Sequence, residues 1–137
     1  MQLILGGARS GKSRLAEQIA QQLAQPVIYV ATAQALDGEM QARIQHHQQQ
    51  RPEDWGLCEE PIYLAEQLLK LDRPNQTILV DCLTLWMSNL LMHADPDLQV
   101  QECQKLLDVV GNLQSELILV SNETGLGVVP MLSLIHI

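Results

Sequence analysis

Gly6-Gly7-Ala8-Arg9-Ser10-Gly11-Lys12-Ser13 have types and spacing suited to holding a row of phosphates. The pattern G-x-x-x-x-G-K-S is that of a phosphate-binding loop, in which each residue type has a task. Gly6 and Gly11 allow backbone conformations that a side chain would forbid, so that successive N–H groups converge on one anion. Lys12 brings a compact positive charge to the outer phosphates, and Ser13 offers a hydroxyl to Mg²⁺. A helix opening at this point adds the positive end of its dipole.

Two further stretches carry reactive groups. Thr77-Ile78-Leu79-Val80-Asp81 is a β-prone run ending in an acid, the pattern of a Walker B strand whose carboxylate faces the metal. Taken alone such an acid is as well read as a cap or turn residue, but behind a phosphate loop Asp81 is the leading candidate for the metal. Arg43-Ile44-Gln45-His46-His47 places two imidazoles on one polar segment. Neutral imidazole is a competent nucleophile near neutral pH and can form a phosphoramidate. Spacing does not choose between His46 and His47. Without other information, both read as solvated residues on an exposed helix.

The elements that must position these groups alternate. Gln2-Leu3-Ile4-Leu5 reads as a buried strand, followed by an amphipathic helix over Lys12 to Leu23 with Leu15, Ala16, Ile19, Ala20 and Leu23 on one face. Pro26 ends that helix, and Val27-Ile28-Tyr29-Val30-Ala31 is a strand apolar on both faces. A polar helix runs from Asp37 to about Gln50, and Glu53 to Glu60 is a loop or short edge segment carrying Trp55. Pro61 to Leu71, Cys82 to His93 and Asp95 to Gln114 read as helices, and Leu117 to Ser121 as a strand. Repeated strand–helix alternation predicts an α/β fold with a mainly parallel sheet, which binds ligands at the carboxyl ends of its strands.

Composition narrows the function. The net charge of −8 argues against a general nucleic-acid surface, so the clustering of Arg9, Lys12, Arg14, Arg43 and Arg51 in the first 51 residues is informative. Phe is absent, so the core must be aliphatic. Cys58, Cys82 and Cys103 lack C-x-x-C spacing and read as reduced thiols of a cytoplasmic protein. No signal peptide and no apolar run of membrane-spanning length is evident.

With these pieces in order, the sequence resembles the bifunctional adenosylcobinamide kinase/adenosylcobinamide-phosphate guanylyltransferase family. The likeness rests on residues 6–13, on Tyr29-Val30-Ala31-Thr32-Ala33, and on Asp37-Gly38-Glu39-Met40 with Arg43-Ile44-Gln45-His46-His47. It continues through Arg51-Pro52 with Trp55, Val80 to Trp86 with Asn89-Leu90-Leu91, and Ser121 to Pro130. The resemblance implies a three-layer, RecA-like P-loop NTPase fold and two reactions, with Mg²⁺ as cofactor and GTP and ATP as substrates. A nucleoside triphosphate phosphorylates adenosylcobinamide, and GTP then donates GMP to that phosphate. The guanylylated histidine falls on His46, and the phosphate-loop contacts fall on Gly6, Gly7, Ala8, Arg9, Ser10, Gly11, Lys12 and Ser13. Further nucleotide contacts fall on Ala31, Thr32, Ala33, His47, Gln48, Gln49, Gln50, Glu59 and Asp81. The family assembles as a homotrimer.

The likeness runs from residue 1 to 130. Met131-Leu132-Ser133-Leu134-Ile135-His136-Ile137 lacks the family pattern and any charged Asp, Glu, Lys or Arg. The expectation is a domain over 1–130, incomplete at its carboxyl end, with a non-native tail over 131–137. Two other readings compete: a P-loop kinase of another small molecule, which needs Lys12, Ser13 and Asp81 but not His46, and an inactive nucleotide-binding fragment.

Overall fold

The computed structural model describes residues 2–6, 12–33 and 54–122. Among these residues five strands form one sheet: β1 (Gln2–Gly6), β2 (Val27–Ala31), β3 (Gly56–Glu59), β4 (Thr77–Asp81) and β5 (Glu116–Asn122). They lie in the order β1-β5-β4-β2-β3, and every pairing is parallel. Among the described residues four helices accompany them: α1 (Lys12–Gln22), α2 (Leu64–Leu71), α3 (Leu83–Leu91) and α4 (Asp97–Val110). The expected α/β class with a mainly parallel sheet is what the described residues form.

Successive side chains on a strand point to opposite faces, and the apolar residues divide accordingly. Ile28, Val30, Ile78, Val80, Leu117 and Leu119 meet α2, α3 and α4 on one face, where Trp86 is fully buried. Val27, Tyr29, Ala31, Leu79, Ile118 and Val120 meet α1 on the other. The helix α1 presents Ala16 and Ala20, both without exposed surface, so small side chains let it approach the sheet closely. Leu15 and Leu23, expected on that inward face, are instead 49% and 37% exposed. The face in contact is the narrow stripe through Ala16 and Ala20, flanked by the partly buried Ile19.

Two helix ends differ most from the sequence expectation. The helix expected from Pro61 begins at Leu64, because the Glu60 carboxylate accepts the backbone N–H groups of Ile62 (3.1 Å) and Tyr63 (3.0 Å) and holds a turn there. The helix expected to reach Gln114 stops at Val110, with Gly111 at its carboxyl cap. Of the two readings of the segment carrying Trp55, the short edge segment holds: it leads into the edge strand β3, paired with β2 from Ile28 to Ala31.

Behind the sheet, at the opposite edge from the strand ends, Asp72 ties the turn after α2 to the start of β5. Its carboxylate accepts the N–H groups of Gln114 and Ser115 and the Ser115 hydroxyl. Desolvation raises the Asp72 pKa, but these hydrogen bonds outweigh it and hold the carboxyl below its usual range. Among the described residues, no helix is long and apolar enough to cross a membrane.

Candidate active site

The parallel register brings five strand ends to one edge. Gly6 lies opposite Asn122, Asp81 opposite Val120, and Ala31 opposite both Asp81 and Glu59. With strands about 4.8 Å apart, Gly6 and Asp81 are separated laterally by roughly 10 Å, with β5 between them. Lys12 and Ser13 form the first turn of α1, which therefore starts at this same edge and runs back across the sheet. Asp81 is two residues beyond Leu79 on one strand, so its side chain is on the α1 face. Sheet parity thus turns the strand-end acid towards the side on which the phosphate-loop helix packs.

Asp81 is held from several directions. Tyr29, 5% exposed, donates its phenol hydrogen to Asp81 Oδ2 at 2.6 Å. Tyr29 is opposite Leu79, so Asp81 is its diagonal neighbour on the same face, within reach of a long aromatic side chain. The Thr32 amide donates to the Asp81 carbonyl at 3.2 Å. The Thr32 hydroxyl accepts the Cys82 N–H at 3.0 Å and donates to the Cys82 carbonyl at 2.7 Å. The Asp81–Cys82 peptide bond is cis. Cys82 then caps α3, its Sγ accepting the Leu85 N–H.

A second tier supports the edge. Asn89 of α3 donates from Nδ2 to the carbonyls of Thr32 (2.8 Å) and Pro61 (3.1 Å). Trp86 donates its indole N–H to the Ile62 carbonyl at 2.8 Å, and the Glu60 amide donates to the Ala31 carbonyl at 2.9 Å. Thr84 and the fully buried Ser121 share a hydroxyl hydrogen bond of 3.1 Å. Each of these bonds satisfies a polar group that burial would otherwise leave destabilised.

Of the residues predicted for the site, Gly6, Lys12, Ser13, Ala31, Thr32, Ala33, Glu59 and Asp81 are brought to this edge. Glu59 is exposed, whereas Thr32 has no exposed surface. Gly7, Ala8, Arg9, Ser10, Gly11, His46, His47, Gln48, Gln49 and Gln50 lie outside the described residues, as do the polar helix from Asp37 and the tail over 131–137. Trp55 precedes β3 at the opposite end of the strands and packs against the α1-side cluster, an edge-of-core role. Sequence reasoning missed Tyr29, Asn89 and Glu60 as supports of the site. A tyrosine within a buried apolar strand was the one available signal, because its hydroxyl must find a partner.

No group of three or more His, Cys, Asp or Glu residues that could hold a metal occurs among the described residues. A single strand-end carboxylate still suits Mg²⁺, which is bound by one or two carboxylates plus substrate phosphates and water. Burial pushes the Cys58 thiol up, helped by Glu60 and Glu59, which disfavours its nucleophilic form.

A parallel sheet, a glycine-rich phosphate-loop sequence between its first strand and α1, and a strand-end acid on the face where α1 packs define a P-loop nucleotide-binding protein. Residues 2–137 match the model of the CobU family, cobinamide kinase / cobinamide phosphate guanyltransferase. The chain is 54% identical over 129 residues to the bifunctional adenosylcobalamin biosynthesis protein CobP of Pseudomonas aeruginosa, covering 94% of this chain and 75% of that one. It is 41% identical over 143 residues to the bifunctional adenosylcobalamin biosynthesis protein CobU of Escherichia coli, covering 95% and 78%. The CobU of Salmonella typhimurium is 40% identical over the same length. The chain belongs to the cobinamide kinase/cobinamide phosphate guanyltransferase family, enzymes of adenosylcobalamin biosynthesis.

Proposed function

We propose that this chain uses one nucleotide site for two transfers: phosphorylation of adenosylcobinamide, and then transfer of GMP from GTP to adenosylcobinamide-phosphate. The observation that carries the reading is the alignment of the β1, β2 and β4 ends on one sheet edge, with Asp81 on the α1 face. Family membership supplies the substrates.

In the first transfer, the aminopropanol hydroxyl of adenosylcobinamide attacks the γ-phosphorus of GTP or ATP. The bond to the β-phosphate oxygen breaks, the nucleoside diphosphate leaves and the hydroxyl proton is released to solvent. Lys12 and the loop amides of residues 6–13 hold the phosphates and favour the charge that shifts onto the leaving group. Ser13 and Asp81 would hold Mg²⁺, which neutralises phosphate charge when bound.

In the second transfer, a ring nitrogen of His46 attacks the α-phosphorus of GTP. A P–N bond forms, the bond to pyrophosphate breaks, and the imidazole proton is released to solvent. The phosphate of adenosylcobinamide-phosphate then attacks the same phosphorus, the P–N bond breaks as the imidazole takes back a proton from solvent, and adenosylcobinamide-GDP leaves. Splitting the transfer in this way replaces one difficult step by two easier ones. Ala31, Ala33, His47, Gln48, Gln49, Gln50 and Glu59 are proposed around the nucleotide. The three free thiols fit a reducing, cytoplasmic setting, and a homotrimer is the proposed assembly.

The test is incubation with GTP labelled at the α-phosphate. The reading expects an acid-labile, alkali-stable protein adduct that His46→Ala abolishes and His47→Ala retains. Phosphorylation of adenosylcobinamide without any adduct would leave a kinase alone and overturn the second transfer.

A further inference from the structure

We propose that the carboxyl end of β2 is a cradle that fixes Asp81, with Tyr29 and Thr32 as positioning residues. The proposal rests on the reading of Asp81 as the carboxylate that meets the nucleotide-bound metal.

A strand-end aspartate has two freedoms that would blur a metal site: rotation of its carboxylate and movement of the backbone where the strand stops. Tyr29 addresses the first. Its ring is packed in the α1-side cluster, which fixes where the hydroxyl lies, and the 2.6 Å bond engages Oδ2. A hydrogen bond to a charged acceptor is short and roughly twice as strong as a neutral one, so it selects one carboxylate orientation. Thr32 addresses the second. Its hydroxyl bonds both polar groups of Cys82, while its amide holds the Asp81 carbonyl. The Thr32 carbonyl is in turn held by Asn89, so the clamp is anchored on α3.

These bonds also give Thr32 a part other than the nucleotide contact expected from resemblance. Its hydroxyl, amide and carbonyl are all engaged within the protein, and the residue has no exposed surface. Thr32 acts on the ligand through Asp81, and direct contact falls to its half-buried neighbour Ala33.

The experiment measures binding of a non-hydrolysable GTP analogue by titration calorimetry, in EDTA and in saturating Mg²⁺, with a thermal melt of each protein. Tyr29→Phe keeps the ring and removes the hydroxyl. Thr32→Val keeps the volume and removes both hydroxyl bonds, and Thr32→Ser restores them. Loss of a group that orients a metal ligand costs about 10-fold in metal affinity or more. The Mg²⁺-dependent gain in affinity should fall about 10-fold in Tyr29→Phe and Thr32→Val, with affinity in EDTA unchanged and Thr32→Ser close to the parent.

Asp81→Asn separates the two levels of the argument. If Asp81→Asn retains the full Mg²⁺ effect, the reading of Asp81 itself fails. If it loses the effect while Tyr29→Phe and Thr32→Val merely melt earlier and keep it, the cradle is refuted.

Discussion

Asn89 offers the sharpest probe of how the edge is held. Both partners of its side chain are backbone carbonyls, so only the amide NH₂ can face them, which settles its orientation. Asn89→Ala leaves the Thr32 and Pro61 carbonyls without that donor, and at roughly 1 kcal/mol for each lost bond the cost is about 2 kcal/mol. An unfolding entropy of about 2.1 cal/mol/K per residue over 137 residues converts this to a drop of about 7 °C in Tm. Asn89→Asp keeps the shape but turns an acceptor towards two acceptors, so it should cost more than Asn89→Ala at neutral pH.

The pH dependence of Asn89→Asp has a definite sign. The two carbonyls favour the protonated, donating form of the new carboxyl, which raises its folded-state pKa above the unfolded value of about 3.9. The deficit relative to the parent is therefore full above the folded pKa and shrinks as pH falls to the unfolded pKa, leaving only the one carbonyl that a single O–H cannot serve. Urea melts of both proteins from neutral pH down to about pH 4 measure that difference. If Asn89→Ala lies within about 0.5 kcal/mol of the parent, the range of an inconsequential surface change, the bridging role of Asn89 is refuted. An Asn89→Asp deficit that does not change with pH refutes the assigned orientation.

Other outcomes follow from the same contacts. Ala16→Leu forces extra volume between α1 and the sheet and should cost about 1–3 kcal/mol in urea melts, together with weaker GTP binding because the start of α1 moves. Asp72→Asn should reduce stability at neutral pH. Because the folded Asp72 pKa is depressed, the parent's advantage over this variant is full above the unfolded pKa and is lost as pH falls through the folded one. Cys58 should alkylate more slowly with iodoacetamide at neutral pH than a free thiol and catch up only in alkali, because burial and the neighbouring Glu60 and Glu59 push its pKa up. Alkylation at the rate of a free thiol would contradict that burial.

The strands β1, β2, β4 and β5, the start of α1 and the strand-end acid were legible in the sequence, because each is written in a few consecutive residues. The insertion of β5 between β1 and β4 was not, since strand order depends on contacts between residues over a hundred positions apart, such as Gln2 with Ile118. Alternation foretold two buried faces but not the identity of α1's inner stripe, where Ala16 and Ala20 displaced the larger Leu15 and Leu23. The Tyr29–Asp81 pair needed the register of β2 against β4 before its diagonal relation could be seen. The helix expected from Pro61 began late because Glu60, the last residue of the expected loop or edge segment, uses its carboxylate to hold the turn.

The central claim is that a nucleoside triphosphate lies at the carboxyl edge of the sheet, between the loop after β1 and Asp81. A crystal structure with a non-hydrolysable GTP analogue and Mn²⁺ tests it most directly. The account predicts phosphates along residues 6–13 and an anomalous peak at the Asp81 carboxylate. Nucleotide bound instead at the opposite edge, beside Trp55 and Pro26, or a metal remote from Asp81, would contradict it.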